Sequence, residues 1–147
     1  MTASNILLLD THVWLWFALG NADKLGNSAR QEIENAACNG RLAVSAISVW
    51  EIGMLDAKIR ITLGAPCEKW IETALKLPGF RLIGLEPEIS IASTRLPDEF
   101  HPGPADRILV AIARARNATL ATADERIISY SKAGYLSVFA VTHERCV

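Results

Sequence analysis

The sequence predicts an α/β fold: a mostly parallel central sheet with helices on both faces. Short apolar runs alternate with helix-spaced apolar patterns along the whole chain. The first run, Ile6-Leu7-Leu8-Leu9, is continuous rather than alternating, as suits a strand buried on both faces. With 147 residues, 50% of them hydrophobic and 21% charged, the chain matches one compact domain spanning residues 1–147.

The elements follow in order. The first strand ends at Asp10. Val13 to Leu19 reads as a short helix stopped by Gly20, since glycine readily takes the left-handed conformation that ends a helix. Ser28 opens a second helical pattern carrying Ala29, Ile33, Ala36 and Ala37, and Asn39-Gly40 closes it. Leu42-Ala43-Val44 is the second strand. It runs through Ser45-Ala46-Ile47-Ser48 into a helix from Val49 to Ala57. Pro66 starts another helix, with Trp70, Ile71, Ala74 and Leu75 as its stripe. Arg81 to Leu85 is a third, more exposed strand after the Pro78-Gly79 turn. Pro87 suits the first turn of the next helix, because its missing N–H is not needed there. Leu96 to Pro104 is a loop, with Pro97, Pro102, Gly103 and Pro104 blocking regular structure. A strong helix follows with Ile108, Leu109, Ala111, Ile112 and Ala115. Thr119 to Thr122 is a strand, a helix bears Ile127, Ile128 and Tyr130 up to Gly134, and Val138 to Val141 is a last strand.

The net charge of −1 gives no global field toward nucleic acid or a membrane surface, so any anionic partner must be met by local chemistry. Three cysteines, Cys38, Cys67 and Cys146, form no C-x-x-C pair. That disfavours a disulfide framework or a zinc ribbon and fits a reducing cytoplasm. Cys38 is expected as a small core residue and Cys146 as an exposed thiol. The N-terminus lacks a basic segment followed by a long apolar stretch and a cleavage site, and the apolar runs are too short to span a bilayer. A soluble, unprocessed protein is expected.

Four carboxylates stand where strand-like segments end or the next helix begins: Asp10, Glu51, Asp106 and Asp124. In a parallel sheet the strand C-termini share one edge, and ligands bind there. Four acids gathered at one spot repel each other, and a divalent cation relieves the repulsion. An all-oxygen set suits Mg²⁺ or Mn²⁺. Each acid also has a purely local reading. Asp10 and Asp124 are placed to cap the helices that follow them. Ser48-Val49-Trp50-Glu51 fits a capping box. Asp106 suits the first turn of its helix, where the dipole favours an anion.

Other groups carry less weight. His12 can be a general base, or a side chain that packs or caps beside an apolar helix. His101 and His143 show no metal-ligand spacing. Arg107 reads as an ion-pair partner, a phosphate contact or a solvated charge, and Lys58 and Arg60 as further phosphate contacts. Trp14, Trp16, Trp50 and Trp70 read as core or dimer-contact residues rather than base-stacking platforms. No phosphate-cradling glycine loop and no nucleophile elbow is present. A phosphoacceptor receiver domain would need adjacent acids after the first strand. A dehalogenase-type phosphatase would need a second Asp where His12 stands.

Four motifs together resemble a known family. Leu7-Leu8-Leu9-Asp10-Thr11-His12, Ser45-Ala46-Ile47-Ser48-Val49-Trp50-Glu51-Ile52, Pro104-Ala105-Asp106-Arg107-Ile108-Leu109-Val110-Ala111 and Leu120-Ala121-Thr122-Ala123-Asp124 are similar to those of the PIN-domain ribonucleases. Within them the chain resembles the VapC toxins of bacterial type II toxin–antitoxin systems. The resemblance implies a three-layer α/β/α sandwich and RNA cleavage with Mg²⁺ or Mn²⁺. Asp10, Glu51, Asp106 and Asp124 would be the catalytic, metal-holding quartet, with Thr11 and Thr122 as supporting hydroxyls. It also implies a cognate antitoxin and a homodimer. Many relatives carry Asn or Ser where His12 stands here, which bears on substrate preference. The rival reading within the same fold is a catalytically silent module that binds protein or RNA.

Overall fold

The computed structural model of the chain describes residues 5–100 and 103–141. The elements run β1 (Leu7–Leu9), α1 (Thr11–Leu19), α2 (Asn27–Cys38), β2 (Leu42–Ser45), α3 (Ala46–Ala57), α4 (Cys67–Leu75), β3 (Phe80–Ile83), α5 (Pro87–Ser93), α6 (Pro104–Arg116), β4 (Thr119–Thr122), α7 (Glu125–Ser131) and β5 (Ser137–Ala140). The order is the expected one. The strands form a single five-stranded sheet, β3-β2-β1-β4-β5, in which every pairing is parallel.

Successive side chains of a strand leave opposite faces, so a buried strand feeds two cores. Leu7 and Leu9 join one apolar cluster with Trp14 of α1, Ile33 of α2, Ile52 of α3 and Ala74 of α4. Leu8 joins the other with Ile89 of α5, Leu109 and Ile112 of α6 and Ile127 of α7. Helices therefore cover both faces, giving the α/β/α sandwich. Leu8 and Leu9 are completely buried, and each stabilises the fold by about 2 kcal/mol. At one edge of the sheet, β3 turns Arg81 and Leu82 to solvent.

Local signals explain most boundaries. Gly20 takes φ +67°, and its N–H bonds to the Phe17 carbonyl at 3.3 Å to end α1. Pro87 opens α5 as expected. The turn before β3 is tight. Gly79 has φ +86°, and a Cβ placed there would lie 1.9 Å from the Ala37 carbonyl oxygen at the end of α2.

One expectation fails. Cys38 is exposed, not a core residue. The buried stripe of α2 is Ala29, Ile33 and Ala36, and Cys38 lies about 200° round the helix from Ala36. The tryptophans divide. Trp14 is fully buried against Trp70, ring centroids 5.9 Å apart, whereas Trp50 is 54% exposed. His101, His143 and Cys146 lie outside the described residues. Among the described residues no helix is long and apolar enough to cross a membrane.

Candidate active site

The cleft forms where β1 and β4 end side by side. Leu9 registers with Ala121, and the Asp10 N–H extends the pairing by donating to the Ala121 carbonyl at 3.0 Å. Asp10 and Thr122 are thus brought together at the C-terminal edge of the sheet. Asp10, Thr11, His12, Trp16, Glu51, Asp106, Ala123 and Asp124 line one cleft of about 260 Å³. All four sequence-predicted acids face it.

Asp10 does cap α1, its Oδ1 accepting from the Val13 N–H at 2.8 Å. Its Oδ2 accepts from the Thr122 hydroxyl at 2.5 Å. Capping and ligation are compatible, because a carboxylate has about four lone-pair directions and these bonds use two. Asp10 is 7% exposed. Burial pushes its carboxyl up to about 6, opposed by the Thr122 and Val13 hydrogen bonds and the nearby His12, while Asp106 adds to the rise.

Asp124 likewise caps α7, with Oδ1 accepting from the N–H groups of Arg126 at 2.8 Å and Ile127 at 3.3 Å. Its own N–H donates to Thr122 Oγ1 at 3.0 Å. Asp106 occupies the first turn of α6 and is half-buried.

Glu51 departs from its local reading. The α3 helix begins at Ala46, not Val49, and Ser45 caps it by accepting from the Ile47 N–H at 3.1 Å. Ser48 therefore lies inside the helix, fully buried, and Glu51 is too far along to close a capping box. The Glu51 carboxylate instead accepts from the Thr11 hydroxyl. Thr11 Oγ1 also lies 2.9 Å from Ser48 Oγ. Thr11 has one hydroxyl proton. When it donates that proton to Glu51, Ser48 donates to Thr11, so the three groups form a short relay.

Arg107 is not a solvated charge. It donates from Nε to the Ser93 carbonyl at 2.8 Å and from Nη1 to the Phe100 carbonyl at 3.0 Å, holding the proline-rich loop to α6. Those bonds place two of its five N–H donors on the loop and the end of α5, and Arg107 does not line the cleft. Lys58 and Arg60, beyond the far end of α3, do not line the cleft. Sequence reasoning missed Trp16, which is half-buried and lines the cleft, and Ser48. It gave His12 no firm role, yet His12 is exposed on the cleft wall. The one available signal was the spacing of His12 and Trp16, one helical turn apart just after Asp10.

The acids share an open cleft rather than a closed cage. Among the described residues no group of three or more His, Cys, Asp or Glu side chains is gathered tightly enough to hold a metal ion as it stands. The donor chemistry still fits a hard divalent cation, since all four acids offer oxygen. A cation would also offset both the burial of Asp10 and the repulsion from Asp106.

Comparison with known proteins places this geometry. The family model described as PIN domain matches residues 7–133. Ribonuclease VapC22 of Mycobacterium tuberculosis is 34% identical over 124 residues, covering 84% of this chain and 91% of that protein. In fold, the chain is similar to VapBC2 from Rickettsia felis bound to a DNA fragment from its promoter, with TM-score 0.68, 18% identity and coverage of 93% of this chain and 99% of that one. It is also similar to a toxin-antitoxin complex from Klebsiella pneumoniae, with TM-score 0.62, 22% identity and coverage of 93% and 98%. The family match spans nearly the whole chain and the curated relative aligns over most of both proteins, so this chain belongs to the PIN domain family.

Proposed function

We propose that this chain is an endoribonuclease toxin that hydrolyses RNA phosphodiester bonds with the help of Mg²⁺ or Mn²⁺ and is neutralised by a cognate antitoxin. The observation that carries this reading is the convergence of Asp10, Glu51, Asp106 and Asp124 on one cleft at the C-terminal edge of a parallel sheet. Support comes also from the ribonuclease relative and from structural neighbours that are toxin-antitoxin complexes.

Asp10, Glu51, Asp106 and Asp124 would hold the ion. When bound, it supplies Lewis acidity toward the phosphodiester and offsets its negative charge. The chain's own groups prepare the site. The Thr122 hydroxyl favours the ionised form of Asp10 by donating to it, against the effect of burial, and Thr11 orients Glu51. Burial of Asp10 keeps bulk water from screening its charge. The partners of this reading are an RNA substrate, an antitoxin and a second copy of the chain, in the cytoplasm. Residues 1–147 act as one domain.

Purified protein incubated with single-stranded RNA tests the proposal. Cleavage should require Mg²⁺ or Mn²⁺ and stop with a chelator. Asp10→Asn and Asp106→Asn should abolish it while circular dichroism stays unchanged. Full activity in either folded variant would remove the acids from the chemistry. Failure of the wild-type protein to cleave would favour the silent interaction module.

A further inference from the structure

His12 and Trp16 are one turn apart on α1, and both line the acidic cleft. Their ring centroids are 6.1 Å apart, with a 50° tilt between the planes. Trp16 is half-buried and His12 is exposed. Among the described residues the His12 ring makes no hydrogen bond, and its ring contact is with Trp16. A ring pair at this helical spacing stabilises a helix only slightly. That small effect gives no reason to keep an imidazole open at the mouth of a cleft, beside a buried carboxylate.

We propose that His12 and Trp16 form a nucleobase subsite. The base of a nucleotide next to the scissile phosphodiester of single-stranded RNA stacks on this aromatic wall. The proposal rests on the ribonuclease reading and names how its substrate is gripped. The cleft offers two chemistries side by side. Its acidic floor repels an anion unless a cation intervenes, so it contributes little affinity of its own for a phosphate. Its aromatic wall attracts the flat, uncharged face that every nucleobase carries. A base held in a duplex cannot turn that face outward, so such a wall favours unpaired RNA. Stacking also seats the adjoining phosphodiester over the carboxylates, because base and phosphate belong to one nucleotide. An arginine-bearing protein segment would suit an acidic cleft with aromatic walls too. The observation favouring a base is that the wall directly adjoins the Asp10 edge, within one nucleotide of any bond cleaved there.

The test compares an intact single-stranded RNA oligonucleotide with two versions, each abasic on one side of the cut. Wild-type protein should lose about tenfold in kcat/KM on one abasic version. His12→Gln, which removes the ring from an exposed position, should shrink that preference to about twofold or less, and His12→Phe should keep most of it. Equal cleavage of intact and abasic RNA by the wild type overturns the subsite, leaves the ribonuclease reading standing and turns attention to a protein occupant. Retention of the preference in His12→Gln, or its loss in His12→Phe, overturns stacking in favour of a polar role. Wild-type protein that cuts none of these RNAs with Mg²⁺ or Mn²⁺ overturns both proposals.

Discussion

The Thr122 hydroxyl donates to Asp10 Oδ2 at 2.5 Å, joining side chains 112 positions apart. Thr122 Oγ1 also accepts from the Asp124 N–H at 3.0 Å, so one hydroxyl ties the first acid to the last. Thr122→Val keeps the shape and removes both roles. Asp10 then loses a bond that lowers its carboxyl pKa and ionises less readily. Mn²⁺ affinity, measured by calorimetry, should fall about tenfold, and stability should fall by about 1–2 kcal/mol. Undiminished affinity would show that Thr122 does not support the site.

Burial of Asp10 also makes stability depend on pH. Its carboxyl titrates at about 6 in the fold and near 4 in the unfolded chain. The folded state therefore binds the proton more tightly. In chelator, stability from this group is greatest below about pH 4, declines between about pH 4 and 6, and is flat above, losing about 3 kcal/mol in all. Asp10→Asn should remove the decline and be the more stable protein at pH 7.5. Urea unfolding across that range decides it, and matching pH profiles for the two proteins would contradict the prediction.

The Ser48-Thr11-Glu51 relay makes a graded prediction. Thr11→Val deletes the donor to Glu51 and should slow RNA cleavage about tenfold, and Thr11→Ser should restore most of the rate. Ser48→Ala leaves Thr11 in place and should have a smaller effect in the same direction. If Thr11→Val cleaves at the wild-type rate, the orientation of Glu51 does not depend on this hydroxyl.

Gly79 tests the fold away from the chemistry. Alanine there meets both a positive φ and the Ala37 carbonyl, with backbone on both sides of the clash. Gly79→Ala should cost roughly 2–5 kcal/mol, read as a lower denaturant midpoint. An unchanged midpoint would mean that the turn and the end of α2 can separate freely.

Arg107→Leu should free the proline-rich loop. The Ser93 and Phe100 carbonyls lose their guanidinium donor, at a cost of about 2 kcal/mol. Limited proteolysis should then cut sooner between residues 94 and 103. Cutting at the wild-type rate would deny Arg107 its clamping role.

The element order was legible because strands buried on both faces read as unbroken apolar runs, as at Leu7-Leu8-Leu9, and because Gly20 and Pro87 mark helix ends by their own backbone limits. The acids were legible as a set, since strand C-termini in a parallel sheet must share an edge. Glu51 was harder. Ser45 and Ser48 both stand at plausible helix starts, and only the extent of β2 decides between them. The phase of Cys38 at the end of α2 depends on which face of the helix meets the sheet. Arg107 bonds to loop carbonyls, and no side-chain pattern announces a carbonyl partner. His12 and Trp16 showed helical spacing but not direction, which is set by the placement of β4 beside β1.

That placement has a consequence for how the protein is made. The pocket needs Asp10 from the opening strand and Thr122 and Asp124 from the penultimate strand and its exit. Synthesis must pass Thr122, 112 positions beyond Asp10, before those groups can meet. Prematurely terminated fragments that stop short of this point carry no assembled pocket, so any chemistry the cleft performs waits until the fourth strand has joined the first.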